Sequence, residues 1–368
     1  MELVNFLKDS SFTNVKDILS DKPYYITVKE DPSIPELYML VYDRDKSDFS
    51  IPLVKECRGI ILEKNTNKVV CHTLNRKDDI PIDEDVEYRE YIDGSHIKLF
   101  CYNDEWRLST TRCIDANKAY WTSDKSFARL FNDSRNVSCM NSYSELDENY
   151  CYGFVICHTD NRIVKKYECN KLYHVCSRNM RDYKIENIDI GVEKPRILDE
   201  TEIENITNNI INDIVPDAIF ITNNGKHNVI YNPSYKLCKD LRCSTTDMLY
   251  EYIMNCCKGD RELYVTQYEE WGDKFVVYDN YISNLINRLH RAYMDYHVNR
   301  VKILGQINKM YHKHLYALHG TRLANNTVIT KDVVREYMFK LDAKQIIHML
   351  NKTLNRFGNK QGDSRDVV

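Results

Sequence analysis

The stretch REYIDGSHIKL, residues 89–99, decides how the first two thirds of the chain are interpreted. Asp93, Gly94 and Ser95 form a typical tight-turn tripeptide, because each of these residue types favours turn conformations. The residues that follow predict a β-strand. Tyr91 stands two positions before the aspartate. The tripeptide alone is common, so its meaning depends on the surrounding sequence.

Short β-rich runs separated by polar turns extend from about residue 57 to 243, and the period then becomes helical. The predicted strands are RGIILEK, KVVCHTL, SHIKLFCY, EWRLSTT, GFVICH, RIVKKYE, LYHVCSR, AIFITN and HNVIYN. Helices are predicted over 118–131 and 193–215, and a long helical pattern covers 283–318. The sequence thus predicts an α+β domain over 1–245, an all-α domain over 246–357 and a disordered tail over 358–368.

Charge is distributed unevenly along the chain. Residues 281–357 contain thirteen Lys and Arg against four Asp and Glu, a net of +9, whereas the first 280 residues hold −13. A basic helical module beside an acidic body favours contact with a polyanion such as RNA, although docking onto the acidic body or a protein partner is an alternative. The candidate RNA-binding residues are Arg288, Arg291, Arg300, Lys302, Lys309 and Lys313.

Composition narrows the setting of the protein. No apolar run is long enough to cross a bilayer, and the N-terminal sequence lacks the layout of a signal peptide. Thirteen scattered cysteines argue against a disulfide framework and for a reducing compartment, the cytoplasm. The Cys and His residues between 151 and 176 lack a paired CxxC, so buried free thiols are favoured over a zinc site. The richness in Tyr, Asn, Ile and Lys is typical of an AT-rich genome, such as that of a virus.

Four further stretches give the Asp-Gly-Ser turn a context. They are ECRGIILEK (56–64), EWRLSTTRCIDANKAYW (105–121), GFVICHTDNRIVKKYECNKLYHVCSRN (153–179) and PDAIFITNNGKHNVIYNPSYKLCKDLR (216–242). In this order and spacing the chain resembles the phage-type ATP-dependent RNA ligases of the covalent nucleotidyltransferase superfamily over about 50–245. The resemblance implies a nucleotidyltransferase domain of the ATP-grasp-like ligase type, with antiparallel sheets around a nucleotide cleft, followed by a helical domain.

The resemblance also implies which positions should carry chemistry. In this family a lysine of the pattern Lys-x-Asp-Gly-Ser attacks ATP, and here that position is Tyr91. A ribose-contacting glutamate is replaced by Val155, and two phosphate-binding lysines by Val229 and Tyr231. Four simultaneous losses predict a pseudoenzyme without a cofactor, whereas an active form would need ATP and Mg²⁺.

Other positions of the expected cleft are kept or conservatively changed. They are Arg58, Gly59, Asp93, Gly94, Arg112 and Asp217. Because a buried carboxylate needs partners, Asp93 is expected to have gained a new one. Tyr91 is expected to fill the cleft rather than to act as a nucleophile, since a phenol has a pKa of about 10.

Three functions follow from these observations. The favoured one is an RNA-ligase-like protein that has lost adenylyl transfer and acts by binding RNA or protein. The first alternative is an active RNA ligase with a rearranged site that uses Tyr91 or Lys98. Lys98 lies seven residues from Tyr91, so it is expected to point to the opposite face of the strand. The second alternative is a structural or assembly protein, for example viral, without affinity for nucleic acid.

Overall fold

A computed structural model of the chain describes residues 1–8, 10–78, 86–121, 123–207, 218–223, 226–242 and 245–354. The chain divides into two compact units, Met1–Lys239 and Asp240–Val368. The first combines antiparallel sheets with helices, and the described part of the second is helical. The predicted α+β class with a helical C-terminal region is confirmed. The predicted tail over 358–368 lies outside the described residues.

The described strands of the first unit form three antiparallel sheets. Sheet 1 contains β1 (Ile26–Glu30), β2 (Leu37–Tyr42), β3 (Arg58–Glu63) and β4 (Val69–Cys71), in that spatial order. The next strand, β5 (Glu87–Glu90), belongs to sheet 3. Sheet 2 contains β6 (Ser95–Tyr102), β7 (Glu105–Thr110), β8 (Tyr150–Cys157), β9 (Lys171–Asn179) and β10 (Ile185–Glu186). Their spatial order is β10-β9-β8-β6-β7. β11 (Ala218–Asn223) and β12 (Lys226–Tyr231) complete sheet 3, in the order β12-β11-β5.

Helices flank these sheets. They are α1 (Glu2–Leu7), α2 (Phe12–Ser20), α3 (Pro52–Glu56), α4 (Phe127–Arg135), α5 (Glu200–Thr207) and α6 (Pro233–Asp240). The hydroxyl of Ser11 begins α2 by accepting a hydrogen bond from the Asn14 amide, and Ser126 begins α4 in the same way. At the start of α6 the Asn232 side chain accepts a hydrogen bond from the Ser234 amide. Pro233, at the first helical position, also favours this start.

The core of the first unit lies between layers. Sheets 1 and 2 face each other through a cluster that contains Met39, Ile61 and Phe100, and α1 and α2 cover the other side of sheet 1. α4 packs on sheet 2, where the rings of Phe131 and Phe154 meet at 5.3 Å. Strands buried on both faces read as continuous apolar runs, which explains why β2 and β8 are so rich in apolar residues.

Three predicted elements of this unit differ from the structure. The helix predicted over 193–215 begins only at Glu200, and its part from 208 onward lies outside the described residues. The run RIVKKYE, 162–168, was expected to be a strand but has no regular secondary structure. Its amides at Val164 and Lys165 instead donate hydrogen bonds to the Asp93 carboxylate. The helix predicted over 118–131 begins only at Phe127, because Ser126 supplies the cap.

The second unit is a bundle of short and medium helices. They are α7 (Met248–Lys258), α8 (Arg261–Gln267), α9 (Gly272–Tyr293), α10 (His312–Asn325), α11 (Lys331–Phe339) and α12 (Ala343–Leu354). Gly259 ends α7 in the left-handed conformation, at φ 85°, which favours glycine. The helical pattern predicted over 283–318 is interrupted, because α9 passes into a π-turn at Met294–Val298 and only short turns precede α10. Within the described chain, we find no helix with the length and apolar character needed to span a membrane.

Candidate functional site

The Asp-Gly-Ser turn is held by its own hydrogen-bond network. The buried Asp93 carboxylate accepts from the Tyr235 hydroxyl at 2.6 Å and from the amides of Val164 and Lys165 at 2.9 and 2.7 Å. The Tyr167 hydroxyl donates to the Asp93 main-chain carbonyl at 2.7 Å. The carboxylate is therefore fully engaged in holding the loop after residue 161 and α6. The sequence led us to expect a partner for this aspartate without naming it, and Tyr235 is the side chain that supplies one.

Two glycines of the predicted cleft are required by space. A Cβ on Gly94 would lie well inside van der Waals contact of the Ile156 carbonyl oxygen, and one on Gly59 would meet the Thr111 carbonyl oxygen. Gly59 also has φ +72°, a conformation that strains other residues. The turn can thus approach β8 closely only with glycine at position 94.

A cavity of about 510 Å³ opens beside this turn, lined by residues of all three sheets and α6. The four degenerate positions Tyr91, Val155, Val229 and Tyr231 all line it. The expectation that Tyr91 fills the cleft is therefore wrong: its ring forms one wall and leaves room for a ligand. The volume lies within the range of about 300–1,000 Å³ that is usual for small-molecule sites.

The lining of this cavity is strongly basic. Among its described residues, six are Lys or Arg and one, Glu90, is acidic. The cations are Arg44, Arg58, Arg76, Lys77, Arg89 and Lys239. The Arg58 guanidinium donates to the Asn75 carbonyl at 3.1 Å, and that of Arg76 lies 3.6 Å from the Phe49 ring centroid. These contacts orient the cations, and a cleft with this excess of positive charge attracts anions.

Lys239 places an ammonium group next to the position where the ligase family has its lysine. Its Nζ donates to the Tyr231 hydroxyl at 2.7 Å and to the Tyr91 hydroxyl at 3.3 Å. Nζ also lies 4.1, 5.2 and 5.8 Å from the ring centroids of Tyr231, Tyr91 and Tyr235. Three aromatic rings thus surround one ammonium, which we call the tyrosine cage. Such rings attract a cation.

Tyr91 itself is poorly suited to nucleophilic attack. Burial raises the pKa of its phenol above the ordinary value, and Tyr231 and Asp93 raise it further. Its ring meets that of Tyr231 edge-on at 5.6 Å. Because the phenolate is the nucleophilic form, a raised pKa removes it at neutral pH.

Two histidines add uncharged polar groups to the cavity wall. Burial lowers the pKa of His227 to about 3, with Arg58 contributing, and lowers that of His96 well below its ordinary value. His227 is only 5% exposed, and its ring stacks on Phe220 at 5.1 Å. Both ring nitrogens of His96 and the Nδ1 of His227 are buried and have no hydrogen-bond partner among the described residues.

The remaining predicted site residues are dispersed. Of the cleft residues named from the sequence, Arg58 and Gly94 line the cavity, whereas Gly59, Asp93 and Arg112 do not. Asp217 lies outside the described residues. Lys98 is buried away from the cavity and donates to the Gly59 carbonyl, so it does not face Tyr91.

The basic residues predicted in the second unit are all exposed. Arg288, Arg291, Arg300, Lys302, Lys309 and Lys313 lie at its surface. Lys302 pairs with Asp295 at 2.7 Å.

Several residues of the cleft were missed by reasoning from the sequence. Arg44, Arg76 and Lys77 lie outside the stretches that carried the resemblance. Arg89 and Lys239 lie within such stretches, but the family pattern gave no role to either position. The adjacent pair Arg76-Lys77 between β4 and β5 was the one local signal. The described residues contain no group of three or more His, Cys, Asp or Glu side chains that could hold a metal ion.

Comparisons with known proteins found partial similarities. No family model matches the chain. A putative bifunctional polynucleotide kinase/RNA ligase of Autographa californica nuclear polyhedrosis virus is 30% identical over 168 residues, which cover 39% of this chain and 24% of that protein. An immediate-early protein ICP-46 homolog of Invertebrate iridescent virus 3 is 34% identical over 82 residues, which cover 21% of this chain and 18% of that protein. An archaeal ATP-dependent RNA ligase structure has a TM-score of 0.43 at 9% identity over 74% of this chain and 72% of that chain.

Over 39% of its length the chain is similar to this viral putative polynucleotide kinase/RNA ligase, which agrees with the resemblance to RNA ligases found in the sequence. The resemblance seen in the sequence is thus confirmed. The matched part spans about a quarter of the baculovirus relative and less than a fifth of the iridovirus relative. Both relatives are viral proteins.

Proposed function

We propose that this RNA-ligase-like protein does not transfer adenylate and acts by binding RNA, with the basic cleft holding a phosphate-bearing RNA end. The observation that carries the proposal is the position of Lys239, whose ammonium lies beside Tyr91 while five further Lys and Arg line the same cavity. Charged donors of this kind bind phosphate oxygens strongly. The cleft therefore has the chemistry to bind a phosphate without the chemistry to activate one.

The side chains at the centre support the loss of adenylyl transfer. Attack would require a phenolate at Tyr91, whose pKa is raised by burial. The ammonium of Lys239 lies in the tyrosine cage, and an ammonium has no lone pair with which to attack. Val155 offers only hydrocarbon where the family has a ribose-contacting carboxylate.

RNA as the partner is supported from two directions. The baculovirus relative is described as a putative polynucleotide kinase/RNA ligase, a protein that acts on nucleic acid. Residues 281–357 of this chain carry a net charge of +9, which suits a phosphate backbone. We take the domains to be 1–245 and 246–357, and the site of action to be a reducing compartment such as the cytoplasm. The twelve described cysteines are free thiols, as that compartment requires.

A second candidate function is favoured by one observation. Lys239 is a primary amine inside a cavity of about 510 Å³, and it could replace the missing nucleophile in an active nucleotidyltransferase that uses ATP and Mg²⁺. The buried Lys98 does not have this access. Incubation with α-labelled ATP and Mg²⁺, followed by denaturing electrophoresis, decides between the two functions. We expect no labelled protein, whereas an adduct that disappears in Lys239→Arg would establish the second candidate.

The binding proposal is tested with two RNA oligonucleotides that differ only in a 5′-phosphate or a 5′-hydroxyl. We expect the phosphorylated form to bind about tenfold more tightly, the usual value of one hydrogen bond to a charged group. Lys239→Met should abolish this difference. Lys236→Met is the matched control, because Lys236 is exposed on the same helix and does not line the cavity. Equal affinity for both RNAs in the wild type would contradict a role for the cleft, and no affinity for either would favour an assembly protein.

A further inference from the structure

The junction between α9 and α10 of the second unit brings aromatic and imidazole rings together at the surface. The π-turn at Met294–Val298 places Tyr296 and His297 against Tyr316 and His319 of α10. The imidazoles of His297 and His319 are stacked at 4.1 Å with an angle of 8° between their planes. The hydroxyls of Tyr296 and Tyr316 lie 3.1 Å apart. We call these four rings the junction cluster.

The junction cluster rests on a buried support and faces solvent. Tyr293, which is fully buried, packs beneath it, with its ring 5.3 Å from that of His297. Tyr316 is 51% exposed, although its ring is held edge-on to His297 at 5.9 Å. A fixed ring with an open face loses little conformational entropy when another flat group stacks on it.

Positive charge surrounds the junction cluster. Residues 293–325 contain five Lys and Arg and a single acidic residue, Asp295, which is paired with Lys302. Arg322 lies on the same side of α10 as His319, three residues further along, and with burial and His319 it lowers the pKa of His297. Arg300 lies two residues after the end of the π-turn and is exposed.

Exposed apolar side chains complete this surface. Val298, Val301 and Ile303 are 43%, 67% and 70% exposed in the segment that follows the π-turn. The main-chain amides of Val301 and Lys302 donate to the Asp295 carbonyl, so this segment folds back onto the π-turn. An apolar and aromatic surface surrounded by cations combines the two features with which proteins hold unpaired nucleotides.

We propose that the junction cluster is a base-stacking site for single-stranded RNA, in which an unpaired base lies on the Tyr316 ring and the neighbouring cations contact the flanking phosphates. The inference rests on the RNA binding proposed above and specifies its strand preference. Duplex RNA keeps its bases stacked inside the helix, so it would meet only the cations. A protein partner is the competing occupant, but five cations beside a single carboxylate suit phosphates better.

The test uses the full chain and a labelled oligouridylate of about 12 nucleotides, a length that matches a typical single-strand site. Tyr316→Ala should weaken its binding about 5- to 150-fold, the usual effect of one lost base stack. Tyr316→Phe should retain wild-type affinity, because stacking requires the ring and not the hydroxyl. Tyr120→Ala is the matched control, since Tyr120 of the first unit is similarly exposed at 53%. A duplex RNA of the same length should bind Tyr316→Ala and wild type equally.

The possible results separate the two proposals. Unchanged oligouridylate binding by Tyr316→Ala, together with weaker binding by Arg300→Gln, would overturn base stacking and leave charge-driven RNA binding intact. If the wild type binds neither RNA, the proposed function itself fails. If in that case sedimentation shows self-association that Tyr316→Ala abolishes, the junction cluster is a protein interface and the stacking inference is overturned.

Discussion

The hydrogen bond between Tyr235 and Asp93 gives a quantitative test of how the Asp-Gly-Ser turn is held. Tyr235 is 5% and Asp93 2% exposed, and the hydroxyl lies 2.6 Å from the carboxylate oxygen. Tyr235→Phe removes one oxygen and keeps the ring, which stacks on Tyr231 at 5.8 Å. A hydrogen bond to a charged partner contributes about 1.5–3 kcal/mol to stability. Since two amide donors remain on the carboxylate, we expect a loss of about 2 kcal/mol in the free energy of unfolding.

Tyr167→Phe is the matched comparison, because the Tyr167 hydroxyl donates to the main-chain carbonyl of the same aspartate. A bond to a neutral acceptor contributes about 1 kcal/mol, so this variant should lose roughly half as much stability. Urea unfolding, followed by circular dichroism and by hydrogen exchange of the Val164 and Lys165 amides, measures both. Equal losses in the two variants, or a loss below about 0.5 kcal/mol for Tyr235→Phe, would refute the view that the carboxylate holds the turn.

Three further predictions follow from the same region. The pKa of His227 is about 3 in the folded state, below an unfolded value of about 6.5, so its contribution to stability is complete above pH 6.5 and is lost as the pH falls towards 3. Between pH 7 and 5 this loss is about 2 kcal/mol, and urea titrations of His227→Gln should lack it. Gly94→Ala should lower stability by about 1–3 kcal/mol in thermal unfolding, since the added Cβ meets the Ile156 carbonyl. RNA affinity of the wild type should fall linearly with salt on a double-logarithmic plot, and a slope near zero would contradict phosphate contacts.

The sequence predicted the sheets well where burial determines the residue pattern. The runs that became β3, β6 and β9 lie in sheets with buried faces, so their apolar residues identify them as strands. The same reasoning failed for 162–168, whose Ile, Val and Tyr resemble a strand although the Val164 and Lys165 amides bind a carboxylate. Local periodicity does not reveal which acceptor an amide will find, because that partner is distant in sequence.

For a similar reason, the sequence predicted which residues of the candidate site are lost but not which residues replace them. The losses at Tyr91, Val155, Val229 and Tyr231 were visible because a motif gives each position an expected residue. The gain of Lys239 was not visible, because no motif assigns it a role and only the folding of α6 against β12 brings it to Tyr91. The open cavity was missed too, since the sequence does not show whether a tyrosine side chain fills a cleft or forms its wall.

The position of Lys239 on α6 limits which insertions and substitutions the cleft can accept without moving or changing this ammonium group. A helix turns by about 100° per residue, so one insertion between Pro233 and Lys239 would carry the ammonium out of the tyrosine cage. A lysine at position 91 would bring a second positive charge close to Lys239, whose Nζ already lies 3.3 Å from the Tyr91 hydroxyl. Repulsion between two such charges would lower the pKa of the lysine at position 91 and so favour its neutral, nucleophilic form.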